Sequence, residues 1–169
     1  MIIKLKLQPR QLLAAKYWTD NTTEELVYGG AKGGAKSFLG CSLIFGDALM
    51  YPETLYFIAR QNLNDLRKYT TASITEVFSF MGVDYEKYVR FNGQDSCFEL
   101  YNKSKVFYID CKWSPMDPEY HRFGSLQFTR GWFEEIGQIN SMAIINLSVS
   151  VGRCKNEQYG LKRKILMTC

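Results

Sequence analysis

The chain has 169 residues, of which 46% are hydrophobic and 15% aromatic. This length and composition predict one folded domain with a substantial core and exclude a disordered chain. The net charge of +4 is too small to indicate a polyanionic partner by itself, and no apolar run is long enough to span a membrane. Five scattered cysteines and a single histidine favour reduced thiols and argue against a histidine-based metal site.

Apolar periodicities along the chain predict helices and strands in turn. The segment Leu55–Ala59 is wholly apolar, which is typical of a strand buried on both faces of a parallel sheet. Gly82 is placed to end a helix, and the segment 83–93 is predicted to be irregular. The predicted helices cover residues 8–18, 37–50, 62–81 and 139–152, and the predicted strands cover residues 25–28, 55–59, 97–101, 106–110, 126–133 and 165–167.

The order of these elements indicates the fold class. The strands over 97–101 and 106–110 are separated by a polar tetrapeptide and therefore predict a hairpin. The other strands alternate with helices, which favours a parallel sheet covered by helices on both faces. We therefore expect a three-layer α/β sandwich with a mainly parallel central sheet and a small hairpin insertion, formed by one domain over residues 1–169.

The most informative segment lies between the first predicted strand and the helix that follows it. It approximates the phosphate-binding pattern G-x-x-x-x-G-K-[ST], in the strand-to-helix context that this pattern requires. Backbone N–H groups of such a loop surround an anion, while Lys36 would reach the outer phosphates and the Ser37 hydroxyl would hold Mg²⁺. The predicted nucleotide-binding residues are Gly30, Ala31, Lys32, Gly33, Gly34, Ala35, Lys36 and Ser37.

One position of the loop departs from the pattern, because Ala35 stands where the second glycine is usual. A left-handed backbone at an alanine costs about 1–2 kcal/mol. We expect that Gly34 takes up this strain instead. The alternative is a glycine-rich turn that ends a strand and binds nothing.

Hydrolysis of a bound nucleotide needs a second element, an acidic residue at the tip of a strand beside the strand that precedes the loop. The segment Trp132-Phe133-Glu134-Glu135 is the best candidate. Glu134 is predicted to hold Mg²⁺ directly or through water, although an aspartate is usual there. Glu135 is predicted to orient and deprotonate the attacking water. The alternative is a solvated pair of glutamates at the start of the next helix.

In combination these segments resemble the N-terminal ATPase domain of the large terminase subunit of tailed bacteriophages, a DNA-packaging motor of the P-loop NTPase class with a RecA/ASCE-like fold. The resemblance covers nearly the whole chain. The matching segments are Pro9-Arg10-Gln11, the loop from Tyr28 to Ser37, Ile58-Ala59-Arg60, Arg122-Phe123-Gly124-Ser125, Trp132-Phe133-Glu134-Glu135 and Ile165-Leu166-Met167-Thr168-Cys169.

The resemblance implies further roles for individual residues. Gln11 looks like the glutamine that reads adenine, with a solvated polar residue on the first helix as the alternative. Lys32 looks like the basic residue of the loop that contacts the phosphates. Arg122 lies where a neighbouring subunit's arginine finger could come from, with plain surface charge as the alternative, and Thr168 looks like the start of the motif that couples hydrolysis to movement.

The resemblance also implies cofactors, partners and a location. ATP and Mg²⁺ are the expected cofactors, and double-stranded DNA, a portal protein and a small terminase subunit are the expected partners. A homo-oligomeric ring is expected for the assembled full-length protein, in the host cytoplasm at the portal vertex of the procapsid, with no membrane contact. Since the chain ends directly after a core strand, we expect the natural protein to continue past Cys169 into a nuclease domain, and we expect no DNA cleavage by this chain.

Two other functions are compatible with the same residues. A small P-loop kinase would use the loop to phosphorylate a metabolite, but the glutamate pair favours activation of water. A nucleotide-binding module without turnover is the second alternative, favoured by Ala35 and Glu134, the two departures from the usual pattern.

Overall fold

The computed structural model describes residues 7–30 and 35–169. Within them the helices and strands alternate as the sequence predicts. The helical segments are α1 (Pro9–Thr19), α2 (Lys36–Met50), α3 (Leu63–Asp65), a π-helical turn (Leu66–Thr70), α4 (Thr71–Met81), α5 (Tyr85–Tyr88), α6 (Ser141–Val149), α7 (Asn156–Tyr159) and two 3-10 turns (His121–Phe123 and Ile136–Gln138). The strands are β1 (Glu25–Tyr28), β2 (Leu55–Arg60), β3 (Val89–Asn92), β4 (Cys97–Leu100), β5 (Lys105–Asp110), β6 (Arg130–Phe133) and β7 (Ile165–Thr168).

The strands form one seven-stranded sheet in the order β1-β7-β6-β2-β5-β4-β3. The five strands from β1 to β5 in this order are parallel, and β4 and β3 add an antiparallel edge. The predicted hairpin is therefore confirmed as β4–β5, and the predicted mainly parallel α/β sheet is confirmed as well.

Side chains of the central strands alternate between two cores, as the pleat of a strand requires. On one face Tyr56 and Ile58 of β2 pack with α1, α2 and α4. On the other face Phe57 and Ala59 pack with α6 and the loop before β6. The sheet is thus the middle of three layers. Among the described residues, no helix combines the length and apolar character that crossing a bilayer requires, and all five cysteines are free thiols.

Two sequence predictions for local structure are wrong. The segment 83–93, predicted to be irregular, contains α5 and β3, because Val89 pairs with Leu100 in an antiparallel ladder. The strand predicted over 126–133 begins only at Arg130. Before it, the Phe128 N–H donates to the Ser150 carbonyl at 2.8 Å, so the main chain there pairs with the end of α6 instead of the sheet.

A third correction concerns strand order. We expected the strand that carries the acidic pair to lie beside the strand that precedes the loop. Instead β7 lies between β6 and β1 and pairs with both of them. A sequence does not specify which strands are neighbours in a parallel sheet, because the crossover helices permit several orders.

Helix α2 sits very close to β6. At Gly40 an added Cβ would lie 2.5 Å from a ring carbon of Trp132, so only a glycine fits there. At the far end of the helix Asp47 forms a buried ion pair with Arg130, with 2.7 Å between Oδ2 and Nη1, and also accepts from the Trp18 indole at 3.0 Å. Burial raises the pKa of Asp47, and the Arg130 guanidinium opposes that shift. These contacts hold the middle and the far end of α2 against β6.

Candidate functional site

The candidate site lies at the carboxyl edge of the parallel strands. Because parallel strands point the same way, β1, β7, β6 and β2 all end at this edge, which is where open α/β sheets bind ligands. The segments that leave it are Gly29-Gly30 after β1, Gln61 after β2 and Glu134-Glu135 after β6.

The ends of the glycine-rich loop are described, and its middle is not. The predicted nucleotide-binding residues Ala31, Lys32, Gly33 and Gly34 lie outside the described residues. Lys36 is the first residue of α2, and its Nζ donates to the Gly30 carbonyl at 3.0 Å. The lysine side chain therefore points back across the mouth of the loop, at a helix N-terminus that favours anions.

Ala35 adopts the left-handed backbone that its position demands, with φ 48° and ψ 34°. The expectation that Gly34 would take up the strain instead is wrong, since the alanine itself is left-handed. Its carbonyl accepts a 3.3 Å hydrogen bond from Nε2 of Gln11. This contact joins α1 to the beginning of α2.

The Ser37 hydroxyl and the Glu134 carboxylate meet directly. The Ser37 Oγ donates to Oε1 of Glu134 at 2.7 Å. Glu134 is only 4% exposed, and its backbone N–H donates to the Ala59 carbonyl at 2.9 Å, which continues the β6–β2 ladder. The structure thus brings together the loop and the first member of the acidic pair across the intervening strand β7.

Two further residues contact Glu134 that the sequence analysis assigned no role. The Thr70 hydroxyl donates a short hydrogen bond to Oε2, and Nη1 of Arg60 lies 3.5 Å from the same oxygen. Arg60 could have been suspected, because it is a charge directly after an apolar strand at the ligand-binding edge. No comparable sequence pattern marks Thr70, since it lies inside a predicted helix.

Glu135 follows in a left-handed conformation with φ 52°. It is half-buried, and its carbonyl accepts from the Gln138 N–H at 2.9 Å to form a 3-10 turn. The turn directs the chain away from the sheet immediately after the acidic pair.

Gln11 is buried, with 2% exposure. Its Oε1 accepts from the Gln8 N–H at 2.9 Å while its Nε2 donates to Ala35. The alternative of a solvated polar residue on the first helix is therefore wrong. Its place beside the loop is compatible with a role toward a bound base.

Arg122 is engaged within its own loop. Its guanidinium pairs with Asp117 at 2.8 Å, donates to the Lys112 carbonyl at 2.8 Å, and lies 4.8 Å and 4.7 Å from the ring centroids of Tyr120 and Phe123. Within the part of the chain that the structure describes, the polar partners of the Arg122 guanidinium lie between Asp110 and Asp117 and include neither Ser37 nor Glu134.

Thr168 ends β7 and is buried. Its Oγ1 accepts from the Trp132 indole N–H at 3.0 Å, and the same indole packs against Gly40 of α2. Thr168 is thus tied both to the strand of the acidic pair and to the helix that begins at Lys36.

Glu134 is buried, and its negative charge affects neighbouring titratable groups. Burial raises the pKa of the Cys41 thiol well above its usual range, and the charge of Glu134 adds to that rise. Burial likewise raises the pKa of Tyr108, with a smaller contribution from Glu134. A hydroxyl and a carboxylate that converge in this way are oxygen donors of the kind that Mg²⁺ prefers, so the donor set fits that ion.

Comparison with known proteins supports the fold at low sequence identity. No protein-family model and no curated protein sequence matches the chain. By structure, the chain is similar to the large terminase of a thermophilic bacteriophage, with a TM-score of 0.68 and 10% identity over 95% of this chain and 38% of that one. That terminase has also been crystallised with ADP and with ATP-γ-S.

Two other phage proteins are also similar to the chain in structure at low sequence identity. The large terminase of bacteriophage HK97 matches with a TM-score of 0.68 and 12% identity over 97% of this chain and 33% of that one. The large terminase ATPase domain of Thermus phage P74-26 matches with a TM-score of 0.62 and 9% identity over 96% of this chain and 64% of that one. The chain therefore has the same α/β fold as these phage proteins. Its architecture is that of the ATPase domains of phage large terminases, and it spans about 38% of the first terminase named above.

Proposed function

We propose that the chain binds and hydrolyses ATP as the ATPase domain of a DNA-packaging terminase large subunit. The observation that carries the proposal is the contact between Ser37 and Glu134, 2.7 Å apart at the carboxyl edge of a terminase-like sheet. It places the end of the glycine-rich loop against an acidic residue at a strand tip, as ATP hydrolysis requires.

The nucleotide would lie over the start of α2. The loop from Gly30 to Ser37 would surround the phosphates with backbone N–H groups, including those of Ala31, Gly33, Gly34 and Ala35, while Lys32 and Lys36 would add positive charge. Gln11, already bonded to Ala35, would face the adenine. The complexes of the thermophilic phage terminase with ADP and ATP-γ-S are compatible with this arrangement.

Ser37 and Glu134 would hold Mg²⁺, which when bound neutralises charge on the phosphates. Glu135 would orient a water and take its proton as the water attacks the γ-phosphorus, giving ADP and phosphate. Arg122 would stabilise transition-state charge in a neighbouring subunit, after leaving its pair with Asp117. Thr168 would transmit conformational changes at the site along β7, because it already contacts Trp132.

In the whole protein, hydrolysis would drive double-stranded DNA into a procapsid. The portal protein and small terminase subunit would be partners, and the assembled protein would form a homo-oligomeric ring. The match to only part of each large terminase supports assigning these wider properties to the full-length protein, and nuclease activity to another domain.

The test compares binding and hydrolysis in matched variants. ATP-γ-S binding is measured by calorimetry with Mg²⁺, and phosphate release from ATP is measured without any acceptor. Glu135→Gln is expected to bind ATP-γ-S as the wild type does and to release phosphate at least about 100-fold more slowly. Glu157→Gln, at an exposed glutamate of α7, should change neither quantity.

Three results would contradict the proposal. One is a wild-type chain that binds no ATP-γ-S. Another is transfer that strictly requires an added acceptor, which would indicate a kinase. The third is unchanged phosphate release in Glu135→Gln.

A further inference from the structure

The two oxygens of the Glu134 carboxylate have different surroundings. Oε1 accepts only from Ser37 among the described residues, whereas Oε2 accepts from Thr70 and faces Arg60. The carboxylate is thus held by one oxygen against the protein, while the other is directed at the start of α2. A glutamate has one more rotatable bond than the aspartate usual at such a site. Holding its carboxylate in one position therefore costs more conformational entropy.

Thr70 is placed by the π-helical turn Leu66–Thr70. A π turn takes one extra residue and rotates the residues after it relative to a regular helix. Within this turn Arg67, Lys68 and Tyr69 are exposed, while Thr70 is fully buried and reaches under the tip of β6. Single π turns are frequent at functional sites, and here the turn delivers a hydroxyl to a buried carboxylate.

Arg60 approaches from the neighbouring strand. It is the last residue of β2, and the residue before it, Ala59, pairs with Phe133 of β6. Its guanidinium carbon lies 5.7 Å from the ring centroid of Tyr69, also in the π turn, within the range of a cation–π contact. The 3.5 Å separation between Nη1 and Oε2 is long for a hydrogen bond, so Arg60 contributes mainly charge and Thr70 contributes the fixed bond.

We infer that Thr70, supported by Arg60, is a positioning residue that holds the Glu134 carboxylate with Oε1 directed at Ser37, where the two oxygens would bind a divalent cation. The inference rests on the proposed function, since the cation is the one that accompanies a nucleoside triphosphate. Thr70 touches neither substrate nor metal in this account. Partners that orient metal ligands change metal affinity by about 10- to 100-fold when they are removed.

The variant Thr70→Val tests this role, because it keeps the shape of the side chain and removes the hydroxyl. Mn²⁺ binding in the presence of ATP-γ-S is measured by electron paramagnetic resonance, and ATP-γ-S binding in EDTA is measured by calorimetry. We expect the Mn²⁺ affinity to fall about 10- to 100-fold while the metal-free nucleotide affinity stays unchanged. Thr70→Ser, which restores a hydroxyl, should recover most of the metal affinity.

The chain offers a matched control on the same helical stretch. The Thr75 hydroxyl donates only to the carbonyls of Thr71 and Ala72 in its own helix, so Thr75→Val should leave Mn²⁺ binding unchanged. Thermal unfolding of each variant separates a loss of fold from a loss of metal affinity, and Thr70→Ser serves as the folded comparison if Thr70→Val unfolds.

The outcomes distinguish the inference from the function on which it rests. A wild-type chain that binds neither ATP-γ-S nor Mn²⁺ overturns both. A wild-type chain that binds Mn²⁺ with ATP-γ-S, together with a folded Thr70→Val that binds Mn²⁺ equally well, overturns the inference alone. Equal losses of metal-bound and metal-free nucleotide affinity in Thr70→Val would also overturn it, because a general structural role predicts that result.

Discussion

The Ser37 hydroxyl donates a 2.7 Å hydrogen bond to Oε1 of Glu134, although the two residues are 97 positions apart in the chain. Ser37 is the second residue of α2, which follows the glycine-rich loop, and Glu134 directly follows β6, which lies two strands from β1 in the sheet. Their contact is the geometric basis for the proposed nucleotide site, and the packing of α2 on β6 maintains it.

Lys36→Ala should weaken ATP-γ-S binding by about 10- to 100-fold, since a charged group that contacts phosphate contributes about 1.5–3 kcal/mol. Lys16→Ala, at an exposed lysine of α1, removes the same charge elsewhere and should bind as the wild type does. Calorimetric titration of both variants with Mg²⁺ present checks this. Equal affinity of Lys36→Ala and the wild type would show that the site is wrongly assigned.

Gly40→Ala should lower the free energy of unfolding by about 1–3 kcal/mol, because its Cβ would meet the Trp132 ring at 2.5 Å. Gly46→Ala lies in the same helix, where the added Cβ would be 3.9 Å from Met81, and should raise stability by up to about 1 kcal/mol. Urea unfolding of the two variants measures this difference. If the two substitutions changed the free energy of unfolding in the same direction, the assigned packing of α2 on β6 would be contradicted.

Ala35→Gly should stabilise the chain by about 0.5–1 kcal/mol. Relief of the left-handed alanine is worth about 1–2 kcal/mol, and part of it is offset by the greater freedom of glycine in the unfolded chain. Ala72→Gly, at an exposed position of α4, should instead destabilise by about 1 kcal/mol. Thermal unfolding compares the pair, and a loss of stability in Ala35→Gly would contradict the left-handed assignment.

Stability should fall in acid through Asp20. A hydrogen bond from the buried Lys164 ammonium, 2.7 Å from Oδ1, is the main cause that holds the pKa of Asp20 well below its usual range, with Thr23 contributing next. Since the folded pKa is the lower one, this stabilisation is fully present at neutral pH. It is lost progressively as the pH falls below about 4, the value of an unfolded aspartate.

Asp20→Asn should therefore have a lower Tm at pH 7, where it leaves Lys164 without its counter-charge, and a smaller further fall between pH 5 and pH 3. Glu86→Gln, at an exposed glutamate, serves as the control and should follow the wild type. Scanning calorimetry at several pH values from 7 to 3 measures the Tm of Asp20→Asn, of Glu86→Gln and of the wild type. Parallel Tm profiles for Asp20→Asn and the wild type would exclude the proposed linkage.

The sequence predicted the elements best where periodicity and glycine or proline signals agreed. Leu55–Ala59 reads as a buried strand because every side chain in it is apolar, and β2 is one. β3 was missed because Arg90 and Phe91 are exposed at the edge of the sheet, so no apolar alternation marks them. Strand order was mispredicted because the position of β7 depends on tertiary packing between distant segments.

For the candidate site, the sequence identified those residues that belong to a recognisable local motif. Lys36, Ser37 and Glu134 follow from a loop pattern and from acids at a strand tip. Thr70 could not be found in this way, because its contact depends on a π turn that rotates it toward β6. The buried state of Gln11 was equally hidden, since helix periodicity does not show which polar residue will pack against Ala35.

The most direct test of the central claim is a crystal structure of the chain with Mg²⁺ and a non-hydrolysable ATP analogue. If the site is assigned correctly, the Lys36 ammonium contacts the outer phosphates, Ser37 and Glu134 face one shared metal ion, and Gln11 touches the adenine. A nucleotide bound elsewhere, or a metal ion that neither Ser37 nor Glu134 approaches, would contradict the assignment.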